Sequence, residues 1–206
     1  MNLRLQKILN LPFVDNSAFY PQCQAYASLV SYWNSTTNLV STRDVDNLLT
    51  DLIRQSVQPL GSEHLPAESK VLDVGSGAGI PAFPLKFARP DLKFTLLEPR
   101  RKKALFLRRV VDELQLKDVE VVLARLEEVS GRPGWQASFD LITTRGTGPA
   151  PKLFPLMKPL VRQGGTIWFY KGLAASKEAN ELSRMTPGSI RRLDIDRNLR
   201  LIIVQL

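Results

Sequence analysis

The stretch from Lys70 to Glu98 constrains the fold more than any other part of the chain. Val71 to Val74 is a short apolar run, as expected of a strand buried in a parallel sheet. Gly75, Gly77 and Gly79 follow, with one residue between each. Glycine accepts positive φ and lets a ligand touch the main chain. Pro81 stands where a first helical turn tolerates proline, because that N–H would have no partner anyway. The segment therefore predicts strand, glycine turn and helix start, with free N–H groups at the turn. Lys93 to Leu97 predicts a second strand, and Glu98 ends it. In nucleotide-type sites an acid about 20 residues downstream grips ribose hydroxyls. Glu98 lies close to that spacing.

The glycine spacing narrows the ligand. The dinucleotide fingerprint G-x-G-x-x-G would need glycine where this chain has Ile80, which disfavours a NAD-dependent dehydrogenase. The observed form is Asp73-x-Gly75-Ser76-Gly77-x-Gly79-Ile80. An acid two residues before the first glycine would repel a diphosphate and suit a ligand bearing an amine or a sulfonium. The loop resembles the first motif of S-adenosylmethionine (SAM) methyltransferases, so SAM is the expected cofactor.

Bulk properties bound the rest. At 206 residues the chain fits one α/β domain with an extension. Its net charge of +8 favours a polyanionic partner. No apolar run approaches membrane-spanning length, and the start, Met1 to Lys7, lacks a hydrophobic signal core. Cys23 and His64 are the single cysteine and histidine, so an internal disulfide, a Cys/His zinc site and an ordinary serine–histidine triad are all disfavoured. The expectation is a cytoplasmic monomer that needs no metal and has no membrane partner.

Residues 1–16 predict a short helix and loop. From Ser17, the apolar positions Phe19, Cys23, Tyr26, Val30 and Trp33 recur at helical spacing, which places Cys23 in a core. Asn34 to Ser41 reads as a polar connection, with Thr42 or Asp44 capping a second helix. That helix carries Val45, Leu48, Leu49, Leu52 and Ile53 on one face. Residues 58–69 have linker composition, with His64 solvated, so a helical extension over 1–57 precedes a sheet domain over 70–206. After Glu98, the cations Arg100, Arg101, Lys102 and Lys103 open a helix whose inner face is Leu105, Phe106, Val110 and Leu114. Four cations oppose the helix dipole there, which points to a compensating anion such as RNA phosphate. Further strands are expected at Val119–Leu123, Phe139–Thr143 and Thr166–Tyr170, with a helix over Leu153–Arg162, a turn at Gly164-Gly165 and a helix over 174–185. Ser189–Ile195 and Leu199–Gln205 predict a closing pair of strands. Glu98, Glu127, Arg145 and Lys171 all follow strand ends, the edge where such sheets bind ligands.

Several of these pieces together resemble the small-subunit rRNA guanine-N7 methyltransferases, the RsmG or GidB family. They are Trp33-Asn34-x-x-x-Asn38-Leu39, Thr42-Arg43-Asp44, the loop Asp73 to Pro81, Leu96-Leu97-Glu98, Arg125-Leu126-Glu127, Thr144-Arg145 and Tyr170-Lys171-Gly172. The resemblance implies a class I SAM-methyltransferase (Rossmann-like) α/β fold, with a mostly parallel seven-stranded sheet, helices on both faces and an N-terminal helical extension. It implies SAM contacts from Gly75, Gly77, Gly79 and Ile80, ribose contacts from Glu98, and an adenine frame from Leu126 and Glu127. Arg145 would lie near the methionine part or the incoming base, and Lys171 on the substrate side. The family usually carries Arg-His-x-x-Asp-Ser in the second front helix, whereas this chain has Leu52 and Gln55 in place of the His and Asp. The implied activity is methyl transfer to N7 of a guanine in 16S rRNA, with that RNA or the small ribosomal subunit as partner.

Guanine N7 has a lone pair and no proton to lose, so no general base is obligatory. That agrees with a chain lacking an evident His, Cys or paired-carboxylate cluster. Arg145 or Lys171 is the candidate for holding guanine O6 or a nearby phosphate. N7 is hard to reach in an A-form helix, so the target should be accessible or flipped. The rival readings are a SAM-binding RNA-interaction protein with little catalysis and a methyltransferase for another substrate.

Overall fold

The structure is a computed structural model that describes residues 11–40 and 45–206. The helix expected near the start falls mostly on 1–10, and the Thr42-Arg43-Asp44 motif with its cap on 41–44; both lie outside the described residues. Seven strands form one sheet: β1 Lys70–Val74, β2 Lys93–Leu97, β3 Val119–Val122, β4 Phe139–Arg145, β5 Val161–Lys171, β6 Ser189–Asp194 and β7 Arg200–Gln205. Their order is β3-β2-β1-β4-β5-β7-β6. The first five run parallel, and β7 pairs antiparallel with both β5 and β6. The order reverses at β1, which opens a crevice at the carboxyl ends of β1, β2 and β4.

Alternation along the strands sends successive side chains to opposite faces. Val71, Leu96, Leu141, Trp168, Tyr170, Leu201 and Ile203 join one core, while Leu72, Leu97, Ile142, Ile167, Phe169, Ile202 and Val204 join the other. The first face is covered by α1 Asn16–Thr37, α2 Val45–Val57, α3 Ala82–Ala88 and α4 Arg101–Glu113. The second is covered by α5 Leu126–Ser130, α6 Ala150–Met157 and α7 Ala175–Leu182. The front helices thus share a core with the sheet. Phe19, Cys23, Tyr26 and Val30 are wholly buried on α1, and burial pushes the Cys23 thiol pKa far up, as an inert core cysteine requires. His64 is exposed.

Four expectations are corrected. The stretch read as a polar connection from Asn34 is helical as far as Thr37, because Asn38 closes α1 in the left-handed region at φ 48° while the Asn34 side chain accepts from Val40 N–H at 2.9 Å. Leu105 is 47% exposed; Ala104, Phe106, Leu107 and Val110 form the buried face of α4. The helix expected over Leu153–Arg162 instead spans Ala150–Met157, Pro155 being tolerated near its end. Gly164-Gly165 does not end a strand but lies inside β5, where a register shift opposite Phe139 and Leu141 accommodates the glycines.

Candidate active site

A cavity of about 350 Å³ opens at the carboxyl edge of the sheet. Its floor is Val74, Gly75 and Gly77, and one wall is Leu97, Glu98, Pro99 and Arg100. Gly75 and Ser76 donate their N–H groups to Leu97 O at 2.8 and 3.1 Å, tying the loop to the end of β2. Gly75 sits at φ +70°, and a Cβ there would meet Thr147 Cγ2 at 2.1 Å, so this glycine permits the 146–149 loop to close over it. A Cβ on Gly77, at φ +58°, would meet only Gly75 O at 3.7 Å and Lys103 Nζ at 3.9 Å; bare backbone faces the cavity there.

Glu98 is only 4% exposed. Its Oε2 accepts from Gly77 N–H at 2.8 Å and its Oε1 from Arg100 N–H at 2.9 Å. Two N–H groups fix the carboxylate, and each oxygen keeps a lone pair for a further donor. Leu126 and Glu127 lie across the cavity on α5, whose first N–H is steadied by the Glu128 side chain, which accepts from Arg125 N–H at 3.0 Å.

Asp73 does not line the cavity; it is buried beneath the glycine loop. Its Oδ1 accepts from Thr143 Oγ1 at 2.7 Å, but its Oδ2 is buried with no hydrogen-bond partner. Burial pushes its pKa up to about 6, against the opposing effect of the Thr143 hydrogen bond. Ser76 Oγ donates to Asp73 O at 3.0 Å and serves the loop itself. Gly79, at φ +86°, packs against the Phe83 ring, where a Cβ would approach to 2.1 Å. Ile80 is buried in the first core. These residues shape the loop from behind rather than line the cavity.

Arg145, at the end of β4, turns toward the front helices and away from the cavity wall. Its Nη2 donates to Gln55 Oε1 at 2.6 Å, and its Nη1 is buried without a partner. Burial pulls its pKa down, opposed by the nearby Asp196 carboxylate. Lys171 pairs with Glu178 at 2.9 Å and donates to Gly148 O. It therefore anchors the loop that covers Gly75. Arg100 and Lys103 line the cavity with Arg125, while Arg101 and Lys102 are exposed beside it. Leu52 packs partly buried against the first core, and Gln55 is polar-bonded to Arg145.

Sequence reasoning missed Thr143, Thr147, Glu178 and Asp196. Thr143 was within reach, since parallel register sets it opposite Asp73. Thr147, Glu178 and Asp196 meet their partners only through the chain's crossovers and carried no local signal.

The residues fit SAM. A bare glycine backbone faces the cavity, a pinned carboxylate with spare lone pairs stands beside it, and an unpaired buried carboxylate oxygen lies beneath the loop. Together with the sheet order, this site defines a SAM-dependent methyltransferase of class I. A solved SAM-dependent methyltransferase from Aquifex aeolicus shares the fold, with a TM-score of 0.62 at 15% identity over 87% of this chain and 97% of that one. The family model described as rRNA small subunit methyltransferase G matches residues 20–192. The chain is 34% identical over 161 residues to the Ribosomal RNA small subunit methyltransferase G of Moorella thermoacetica, covering 78% of this chain and 67% of that protein. To the protein of the same name from Chromobacterium violaceum it is 32% identical over 188 residues, covering 88% and 87%. This chain belongs to the rRNA small subunit methyltransferase G family.

Proposed function

We propose that this enzyme transfers the methyl group of SAM to N7 of a guanine in 16S rRNA, working in the cytoplasm as a monomer on the RNA or the small subunit. In this reading residues 70–206 are the SAM domain, 58–69 a linker and 1–57 a helical extension that helps present the base. The observation that carries it is the Glu98 carboxylate, held by Gly77 and Arg100 N–H groups at the rim of the glycine-floored cavity.

When bound, SAM supplies an electrophilic methyl on a sulfonium. The protein's own residues bind and align. Glu98 accepts from the ribose hydroxyls with its remaining lone pairs. Gly75 and Gly77 let the ligand lie against the main chain. Leu126 packs on the adenine and Glu127 borders it. Asp73 offers a second negative charge, beneath the glycine loop, to the ammonium group. Guanine N7 brings its own lone pair and loses no proton, so the protein need supply only position and exclusion of water. Arg145, with one guanidinium nitrogen unsatisfied, is the donor for guanine O6. Arg100, Arg101, Lys102 and Lys103 offer phosphate contacts beside the cavity. Lys171 contributes by holding the loop.

Calorimetric titration of SAM tests the cofactor half. Glu98→Ala should weaken binding by at least tenfold, and undiminished affinity would remove Glu98 from the ribose site. Arg145→Ala should keep SAM affinity and lose methyl transfer to RNA.

A further inference from the structure

Tyr26 lies on the front helix α1 and is wholly buried. Its hydroxyl donates to Ala78 O at 2.8 Å, across 52 positions of chain. Ala78 stands between Gly77 and Gly79 in the cofactor loop, is 7% exposed and does not line the cavity. The contact therefore reaches the loop from behind. The peptide that joins Ala78 to Gly79 is held at both ends, its carbonyl by Tyr26 and its N–H by Ser76 O at 2.6 Å. On the other side of Ala78, Gly77 N–H donates to Glu98 Oε2. The ring adds a second grip. Tyr26 packs against Phe83 and Phe87 of α3 with centroids at 5.6 and 5.9 Å, and Phe83 lies on Gly79, where no Cβ would fit.

Packing alone does not require this hydroxyl. Its ring neighbours Phe83 and Phe87 are phenylalanines, and a third would fill the same apolar space. A phenol buried without a partner costs free energy, so a buried hydroxyl belongs with the group it bonds. Burial pushes its pKa up, so it keeps its proton and serves as a donor. The acceptor is a main-chain carbonyl inside a loop of three glycines, each at positive φ. Glycine lets the loop reach that shape but does not hold it there, because it admits many others. Holding falls to contacts: Gly75 and Ser76 are tied to β2, Gly77 to Glu98 and Ala78 to α1. If the peptide after Ala78 turned, Gly77 would lose its place against Glu98 and at the cavity floor. Ordering a loose loop on binding subtracts from affinity, and a loop fixed beforehand avoids that loss.

We infer that Tyr26 is a positioning residue for SAM: from the front helix, its hydroxyl fixes the Ala78 carbonyl and with it the loop that sets Gly77 against Glu98 and the cofactor. This inference rests on the glycine-floored cavity being the SAM site and is independent of which base is methylated. It gives the front extension a part in cofactor binding, besides presenting the base.

The test uses the full-length protein and the change Tyr26→Phe, which removes the hydroxyl and keeps the ring. Val30→Ala, one turn further along α1 and equally buried, is the control, because it opens a cavity in the same core without touching the loop. SAM affinity is read by calorimetry, stability by thermal melt, and loop opening by hydrogen exchange of the Gly77 amide in the ligand-free protein, relative to the amides of β1. Tyr26→Phe should weaken SAM binding about fivefold or more, as loss of one hydrogen bond to the loop implies, and should speed Gly77 exchange by a similar factor. Val30→Ala should lower Tm by as much or more and keep SAM affinity within about twofold. In transfer assays at saturating SAM, Tyr26→Phe should keep kcat and KM for RNA near the parent values, so that the defect shows in KM for SAM alone. Unchanged SAM affinity in Tyr26→Phe would overturn the inference. Equal losses of affinity in the two variants would overturn it as well, since Tyr26 would then be packing only. If the parent itself bound no SAM, the reading of the cavity would fail, and the inference with it. If Tyr26→Phe melts too low for calorimetry, Gly77 exchange at low temperature decides, and a rate equal to that of Val30→Ala counts against the inference.

Discussion

Asp73 is a carboxylate in the wrong place for stability. An unfolded Asp73 loses its proton near 3.8, and the folded one near 6. Between those values the native state binds more protons than the unfolded chain, so stability falls as pH rises through that window, and the full penalty is present above it. The displacement corresponds to roughly 3 kcal/mol. Asp73→Asn keeps the Thr143 contact and removes the buried charge. Thermal melts of the ligand-free variant at pH 7.5 should lie several degrees above the parent, and the fall in stability between pH 4 and 6 should flatten. SAM affinity should drop tenfold or more, since the charge serves the ligand. A variant both less stable and equal in affinity would refute this role.

The elements around the cavity depend on one clamp. Lys171 on β5 and Glu178 on α7 are each 13% exposed and pair at 2.9 Å. Glu178 Oε2 also accepts from Ala150 N–H at 2.6 Å, at the start of α6. Between those anchors runs the 146–149 loop, with Thr147 over Gly75. Glu178→Ala leaves a half-buried cation and an unsatisfied N–H, so denaturant unfolding should show a loss on the order of 3 kcal/mol. SAM affinity should fall as well, because Gly146 and Thr147 line the cavity. Unchanged affinity would separate the clamp from the site. At this scale the sequence was legible where pattern is local. The apolar run of β1, the glycines and the acid closing β2 place the cofactor edge without any tertiary information. The Gly164-Gly165 pair misled because a turn and a bulge ask for the same residues; only the partner strand distinguishes them. Leu105 misled because two leucines flank Phe106, at 105 and 107, and packing buries the second while leaving the first 47% exposed. Trp33 and Asn34 were legible as a motif but not as a device: the indole packs on Phe106 at 6.0 Å and the amide closes the helix end.

Across the whole molecule, charge and topology converge on one edge. The sheet order puts the cavity at the crevice beside β1, and the start of α4 sets Arg100 and Lys103 at its wall with Arg101 and Lys102 exposed alongside. The net charge of +8 supplies a long-range field that draws a polyanion to the molecule. Arg101→Ala with Lys102→Ala removes two exposed cations without touching the cavity. RNA binding should weaken at low salt, and the slope of log affinity against log salt should flatten by up to about 2. An unchanged slope would make that patch solvated surface. The same edge must deliver the methyl group. The protein would be incubated with SAM labelled in its methyl group and small ribosomal subunits lacking guanine-N7 methylation, and the RNA digested to nucleosides. Label in 7-methylguanosine is the expected result. Label absent from the RNA, or present in another nucleoside, while SAM still binds with Glu98 intact, would contradict it.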